Sequence, residues 1–193
     1  KQKYLFEILK ELESELNLNI NEASNEENLQ KIIKNINNYL IITNKQSFKT
    51  IHVKAVSKLA EKCKTLGVRQ LIHVSSLGAD KNSESALLKT KGAGEEEILK
   101  IFPSVNIVRP SLIFGPEDDF FNRFARMSMI SPIIPSVGSA TKFQPVFVND
   151  VAKAVSYLVK NGSNKRYLEL GGQEVFLFIE LLEKMLTHIN RKR

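Results

Sequence analysis

The stretch "SALLKTKGAGEEEILKIFPSVNIVRP", residues 85–110, sets a segment of helical spacing directly before a short run rich in β-branched residues. The spacing predicts a helix over about residues 85–101 and a strand over "NIVRP". The same order precedes it: a helix over about residues 51–65 ends at Gly67, and the apolar run "RQLIHVSS" follows as a strand. Short β-rich runs that alternate with amphipathic helices need crossover connections. These are right-handed in nearly all folds and build a parallel sheet with helices on its faces. The fold class is therefore α/β.

Beyond residue 110, a turn at "FGPEDD" leads to a helix around residues 120–129 and then to the proline-broken "SPIIPSVGS". A short strand "QPVFV" enters a helix whose N-cap is Asn149 or Asp150, side chains that accept from the free N–H groups of a first turn. "RYLEL", "GGQE" and a last amphipathic helix follow. Before residue 46 the character changes. "YLFEILKELESEL" and "LQKIIKNI" predict two helices, and "NYLIIT" a short buried strand. We expect a divergent helical segment over residues 1–45 and an α/β domain over residues 46–193.

Composition narrows the function classes. A chain of 193 residues with 42% hydrophobic content can bury a core for one domain. Its apolar runs fall short of the roughly 20 residues of a membrane span. No basic-then-apolar leader opens it, which points to a soluble chain in the cytosol. The net charge of +7 lies wholly after residue 50. It is scattered there without a helix-turn-helix, an aromatic RNA-binding strand or a zinc-finger spacing, so nucleic acid is not the expected partner. The only tight basic cluster is the terminal "NRKR", which reads as a solvated end. Cys63 is the single cysteine, falls on the apolar stripe of its helix with Val56, Leu59 and Ala60, and reads as core. His52, His73 and His188 stand apart from one another and from ligand-spaced carboxylates, so no metal site is expected.

From "LIHVSS" to "NDVA" the sequence resembles the extended or atypical short-chain dehydrogenases of the NAD-dependent epimerase/dehydratase superfamily. The runs "HVSSLGAD", "KTKGAGEEEILKIFPSVNIVRPSLIFGPEDDFFNRFARM" and "FQPVFVNDVAKAV" are most similar, within it, to the branch of the ninth accessory subunit of the complex I alpha subcomplex and its bacterial relatives. The likeness covers about residues 46–193. It implies an incomplete Rossmann-like parallel sheet with flanking helices, its first βαβ half missing or replaced, in a chain shortened at both ends. It also implies NAD or NADP as the cofactor, with binding weak or lost.

The resemblance assigns roles residue by residue. The family's chemistry uses a tyrosine and a lysine four residues apart on one helix face. The ammonium lowers the phenol pKa from about 10 toward neutrality. Lys91 matches the lysine, which in the family also bonds the nicotinamide ribose, whereas the tyrosine place holds Leu87. Ser75 and Ser76 match the strand-end hydroxyl that polarises a substrate carbonyl; strand-end capping and a solvated helix lysine are the structural alternatives for these residues. Pro110, Ser111, Leu112 and Ile113 match the loop along the nicotinamide ring, although many extended members carry asparagine where Leu112 stands. Gln144, Val146 and Asp150 match a segment bordering the substrate pocket, with Asp150 a helix cap first. Arg109 pairs with a core carboxylate or reaches a ligand.

The diphosphate side has no counterpart. A dinucleotide needs G-x-G-x-x-G between a first strand and helix, since only glycine lets backbone N–H groups approach the diphosphate. The earliest of the 9 glycines is Gly67. Gly92 and Gly94 lack a third glycine and sit inside a helix pattern, so they read as small residues packing a helix closely against the sheet.

Three functional readings follow. The first is a non-catalytic protein of the complex I accessory kind, partnered by a respiratory complex and lying in the cytoplasm or peripherally at the inner membrane. The second is an active NAD(P)-dependent reductase or epimerase on a sugar or quinone-related substrate. The third is a decayed gene fragment with an exposed sheet edge prone to aggregation. A separately encoded N-terminal fragment would be a further partner.

Overall fold

The computed structural model describes residues 47–131, 133–134 and 138–190. The two N-terminal helices and the "NYLIIT" strand expected from the sequence lie outside them. The described residues divide into two compact units, one of residues 47–71 with Ala79–Val105, the other of Ile72–Gly78 with the described residues from Asn106 onward.

In the first unit a π-helical segment, Thr50–Ala55, runs directly into helix α1, Val56–Thr65. α1 buries Ala60 and Cys63 on one stripe and stops at Leu66 and Gly67, the latter at φ 66°. Helix α2, Ala86–Ile101, begins at Ser85, whose hydroxyl accepts from the Leu88 N–H. α2 packs along both the π-helical segment and α1, and glycine makes that approach possible. A Cβ on Gly92 would come within 2.5 Å of the Asp80 and Lys81 backbone, and one on Gly94 would strike the His52 carbonyl. The glycine pair does permit close packing. Within this unit its neighbours are a loop and a helix, where a sheet was expected.

The second unit is organised by a parallel sheet in the order β1 (Ile72–Val74), β2 (Asn106–Pro110) and β6 (Tyr167–Leu170). Its registers are Val74 to Val108 and Val108 to Leu168. In the central β2, Asn106, Ile107, Val108 and Pro110 are buried, as a strand enclosed on both faces requires. The Asn106 side-chain amide is satisfied by the Ser163 and Lys165 carbonyls at 3.1 and 2.9 Å, which ties down the approach to β6. β1 is shorter than the expected "RQLIHVSS". Its contact with β2 nonetheless continues, because the Ser75 and Leu77 N–H groups donate to the Val108 and Pro110 carbonyls at 2.7 and 2.8 Å.

Two small sheets complete this unit. β3 (Ile113–Phe114) pairs in parallel with β5 (Val146–Phe147), and β4 (Lys142–Phe143) pairs antiparallel with β7 (Phe176–Leu177). The expected strand "QPVFV" thus narrows to two residues. Helix α3, Asp119–Ile130, is capped by Asp118, whose carboxylate accepts from the Phe121 N–H at 2.6 Å. Helix α4, Val148–Asn161, corrects the expected cap: β5 turns into it at Phe147, so Asn149 and Asp150 are already helical. Asp150 instead pairs with Lys153 at 3.1 Å. Helix α5, Phe178–His188, packs through Phe178, Leu182 and Met185 on Phe120, Phe121 and Phe124 of α3 and on Phe143 of β4. No helix among the described residues is long and apolar enough to cross a membrane.

Candidate functional site at the carboxyl ends of the parallel strands

Ligands of open parallel α/β sheets bind outside the carboxyl ends of the strands. In the second unit those ends converge. Ser75 and Ser76 follow β1, Pro110 closes β2, and the Ser111 N–H donates to the Leu170 carbonyl at the end of β6, 2.8 Å away. The Leu112 carbonyl accepts from the Val146 N–H at 2.9 Å, and Ile113 pairs with Val146 in register, so residues 110–113 are tied to β5. Gln144 is held beside the end of β6. Its side-chain amide donates to the Gly172 carbonyl at 2.7 Å, and a Cβ on Gly172 would strike the Pro145 carbonyl.

One polar atom stands out there. The Ser76 hydroxyl oxygen is buried with no hydrogen-bond partner among the described residues. An unsatisfied buried hydroxyl costs roughly 1–3 kcal/mol, so this group suits a ligand that would complete it. Ser75 is 4% exposed. Val146 is also 4% exposed, and packing accounts for it. Arg109 reaches Glu169 on the neighbouring strand at 3.5 Å and lies 4.4 Å over the Tyr167 ring. The carboxylate it pairs with is more than half exposed, so it is not a core pair.

Lys91 and Leu87 belong to the first unit. Leu87, in the first turn of α2, is 40% exposed. Leu87, Lys91 and Glu95 follow one another at four-residue steps on one helix face. Burial lowers the Lys91 pKa, and the Glu95 carboxyl group, 2% exposed, opposes that shift. His52 packs against the same helix, with its Nδ1 2.9 Å from Thr90 Oγ1. Burial first, and the Lys91 charge second, hold its pKa below the ordinary value.

Eight of the sequence-derived site residues therefore fall in one unit: Ser75, Ser76, Pro110, Ser111, Leu112, Ile113, Gln144 and Val146. Sequence reasoning missed a cavity of about 750 Å³ in that unit, whose lining includes Phe114, Phe121, Pro145, Gln173, Lys184 and His188. The available signal was Lys184 and His188, four residues apart on a helix that otherwise buries its apolar face. Among the described residues no group of three His, Cys, Asp or Glu is placed to hold a metal.

No family model matches the chain. Curated relatives do. Residues of this chain are 36% identical over 141 positions to the mitochondrial NADH dehydrogenase (ubiquinone) 1 alpha subcomplex subunit 9 of Dictyostelium discoideum, covering 72% of this chain and 39% of that protein. The subunit of the same name from Rattus norvegicus is 40% identical over 116 residues, 59% of this chain and 30% of the relative. The chain thus spans about two fifths or less of the length of these relatives. Among solved structures, dTDP-glucose 4,6-dehydratase from Streptomyces venezuelae, determined with NAD bound, superposes with a TM-score of 0.64 at 16% identity, over 75% of this chain and 51% of that one. That likeness establishes the α/β fold. Over the stretch that matches, the chain is homologous to the subunit 9 proteins of the complex I alpha subcomplex, and it shares the α/β fold of that dehydratase.

Proposed function

We propose that this polypeptide is a non-catalytic member of that family, acting as an accessory component of a respiratory complex and turning over no nicotinamide-dependent substrate by itself. The observation that carries this reading is Leu87. One helical turn before Lys91, where the family's acid–base phenol would stand, an aliphatic side chain has no proton to give or take. Loss of such a group removes on the order of a hundredfold or more in rate.

The fit to NAD or NADP is divided. Ser76, with its buried hydroxyl, and the backbone of residues 110–113 suit the nicotinamide side. The glycine pair Gly92 and Gly94, set inside α2 against the Asp80 and His52 backbones, offers no cradle for a diphosphate. The Ser76 hydroxyl favours a second reading, a reductase or epimerase on a sugar or quinone-related carbonyl that has replaced its acid.

Thermal unfolding with millimolar NADH or NADPH tests the first reading. It requires an unchanged midpoint, since a ligand stabilises only when its concentration exceeds its Kd. A rise of several degrees would overturn it. Leu87→Tyr separates the two readings: carbonyl reduction by the wild-type chain supports the second, and reduction gained only by the variant shows that the geometry outlived the chemistry.

A further inference from the structure

The end of α3 presents aliphatic surface outward. Ile130 is 89% exposed and Ile133 76%, the highest values for large hydrophobic side chains among the described residues, and Met129 beside them is 59% exposed. Hydrogen bonds of Ser131 hold them there. The Ser131 N–H donates to the Met127 carbonyl at 2.9 Å; its hydroxyl accepts from the Ile133 N–H at 3.1 Å and donates to the Ile133 carbonyl at 2.8 Å. The next residue, Ile134, packs inward on Phe178, Leu182 and Met185. The segment is thus anchored by one isoleucine while its neighbour projects.

Charge says what would meet this surface. Arg123 and Arg126 are exposed on α3, seven and four residues before Ile130 and on the same helical stripe. From Phe120 to Asn149 the sequence holds three basic residues, Arg123, Arg126 and Lys142, and no acidic one. Glu180, in the first turn of α5, turns its carboxylate onto the Leu177 N–H at 2.7 Å. Asp119 stands at the opposite end of α3, roughly 16 Å from Ile130 at the rise of a helix.

We propose that Met129, Ile130 and Ile133 insert into the headgroup region of a bilayer whose anionic lipids are engaged by Arg126 and Arg123. Protruding aliphatic tips with guanidinium groups one turn behind them suit such an interface. A protein partner more often centres on Trp, Tyr or Arg seated in a packed patch, and these three residues form no aromatic platform. The inference does not depend on Leu87 or on any cofactor.

Sedimentation of the full chain with vesicles tests it. The protein should co-sediment with vesicles of phosphatidylcholine mixed with phosphatidylserine, and less with phosphatidylcholine alone or in high salt. Ile130→Ser with Ile133→Ser should weaken binding about tenfold or more, given about 0.8 kcal/mol for each buried methylene. Arg126→Ala should weaken it about fivefold on the anionic vesicles only. Because these side chains are exposed, the variants should melt with the wild type, which confirms that the fold is intact. Wild-type binding in the double serine variant would overturn the proposal by assigning adsorption to scattered positive charge. Absence of binding to either vesicle would overturn it in favour of a protein partner.

Discussion

Gln144 and Gly172 hold each other through two hydrogen bonds: the Gln144 side-chain amide donates to the Gly172 carbonyl at 2.7 Å, and the Gly172 N–H donates to the Gln144 carbonyl at 3.3 Å. The pair joins the approach to β5 to the end of β6, beside the convergence of strand ends. Gln144→Ala should lower stability by about 1–2 kcal/mol, the range for a lost, partly buried hydrogen bond. Gly172→Ala should do more harm, about 2–4 kcal/mol, because its Cβ would meet the Pro145 carbonyl, which is rigid backbone. Urea denaturation midpoints rank the two variants. Equal losses would mean that the Pro145 segment moves aside at little cost.

Lys91 and Glu95 share a helix face at a four-residue step, and both are substantially withdrawn from water. Each charge moderates the cost of burying the other. Lys91→Met removes the cation near a buried carboxyl group, and Glu95→Gln removes the group that offsets Lys91's desolvation. Both single variants should destabilise. The double variant should lose less than their sum by about 0.5–3 kcal/mol, the coupling usual for neighbouring groups. Strict additivity in the cycle would show that the two side chains act independently. Glu95→Gln should also move the Lys91 pKa further down, which ¹⁵N titration of the ammonium can follow.

The alternation over residues 51–110 was legible because a helix buries one stripe and a parallel strand is continuously apolar, as Ile107 and Val108 show in β2. Asp118 capping α3 accords with the turn expected at "FGPEDD". The small sheets were not legible. Two-residue strands such as Ile113–Phe114 and Val146–Phe147 are too short to display a period, and long-range pairing defines them. Asp150 misled for a related reason. A strand running straight into a helix moved the boundary upstream of the best capping residue. Gly92 and Gly94 announced close packing correctly, but spacing alone could not name the Asp80 and His52 backbones as their neighbours. The strand-end residues could be aligned from motif likeness, whereas the unpartnered Ser76 hydroxyl and the cavity near Lys184 required coordinates.

Cys63 is buried on the inner stripe of α1, and burial raises the pKa of its thiol. The thiolate is the reactive form, so both its population and its accessibility are low in the native state. A disulfide reagent at neutral pH should therefore modify Cys63 at a rate set by opening of the first unit, and immediately in denaturant. Gly94→Ala, which forces α2 away from the π-helical segment, should accelerate labelling without changing the thiol chemistry. Fast labelling of the native wild type would show that α1 is not packed as described.

His52 gives this unit a pH dependence whose sign follows from its surroundings. The Thr90 hydroxyl donates to the Ala86 carbonyl at 2.8 Å, so toward His52 it acts as acceptor and Nδ1 carries the hydrogen of the 2.9 Å contact. Acid then adds a proton at Nε2. The resulting cation is disfavoured by burial first and by the Lys91 charge second, which sets the folded pKa below the ordinary 6.5. Between those two values the unfolded chain binds more protons than the folded one, so the stability present above pH 6.5 is lost as pH falls through the folded pKa. His52→Gln keeps a donor near Thr90 without the titration and should flatten unfolding free energy against pH in that window. Lys91→Met should move the His52 titration toward its ordinary value, followed by the imidazole proton resonances. An unchanged titration in Lys91→Met would leave burial alone as the cause.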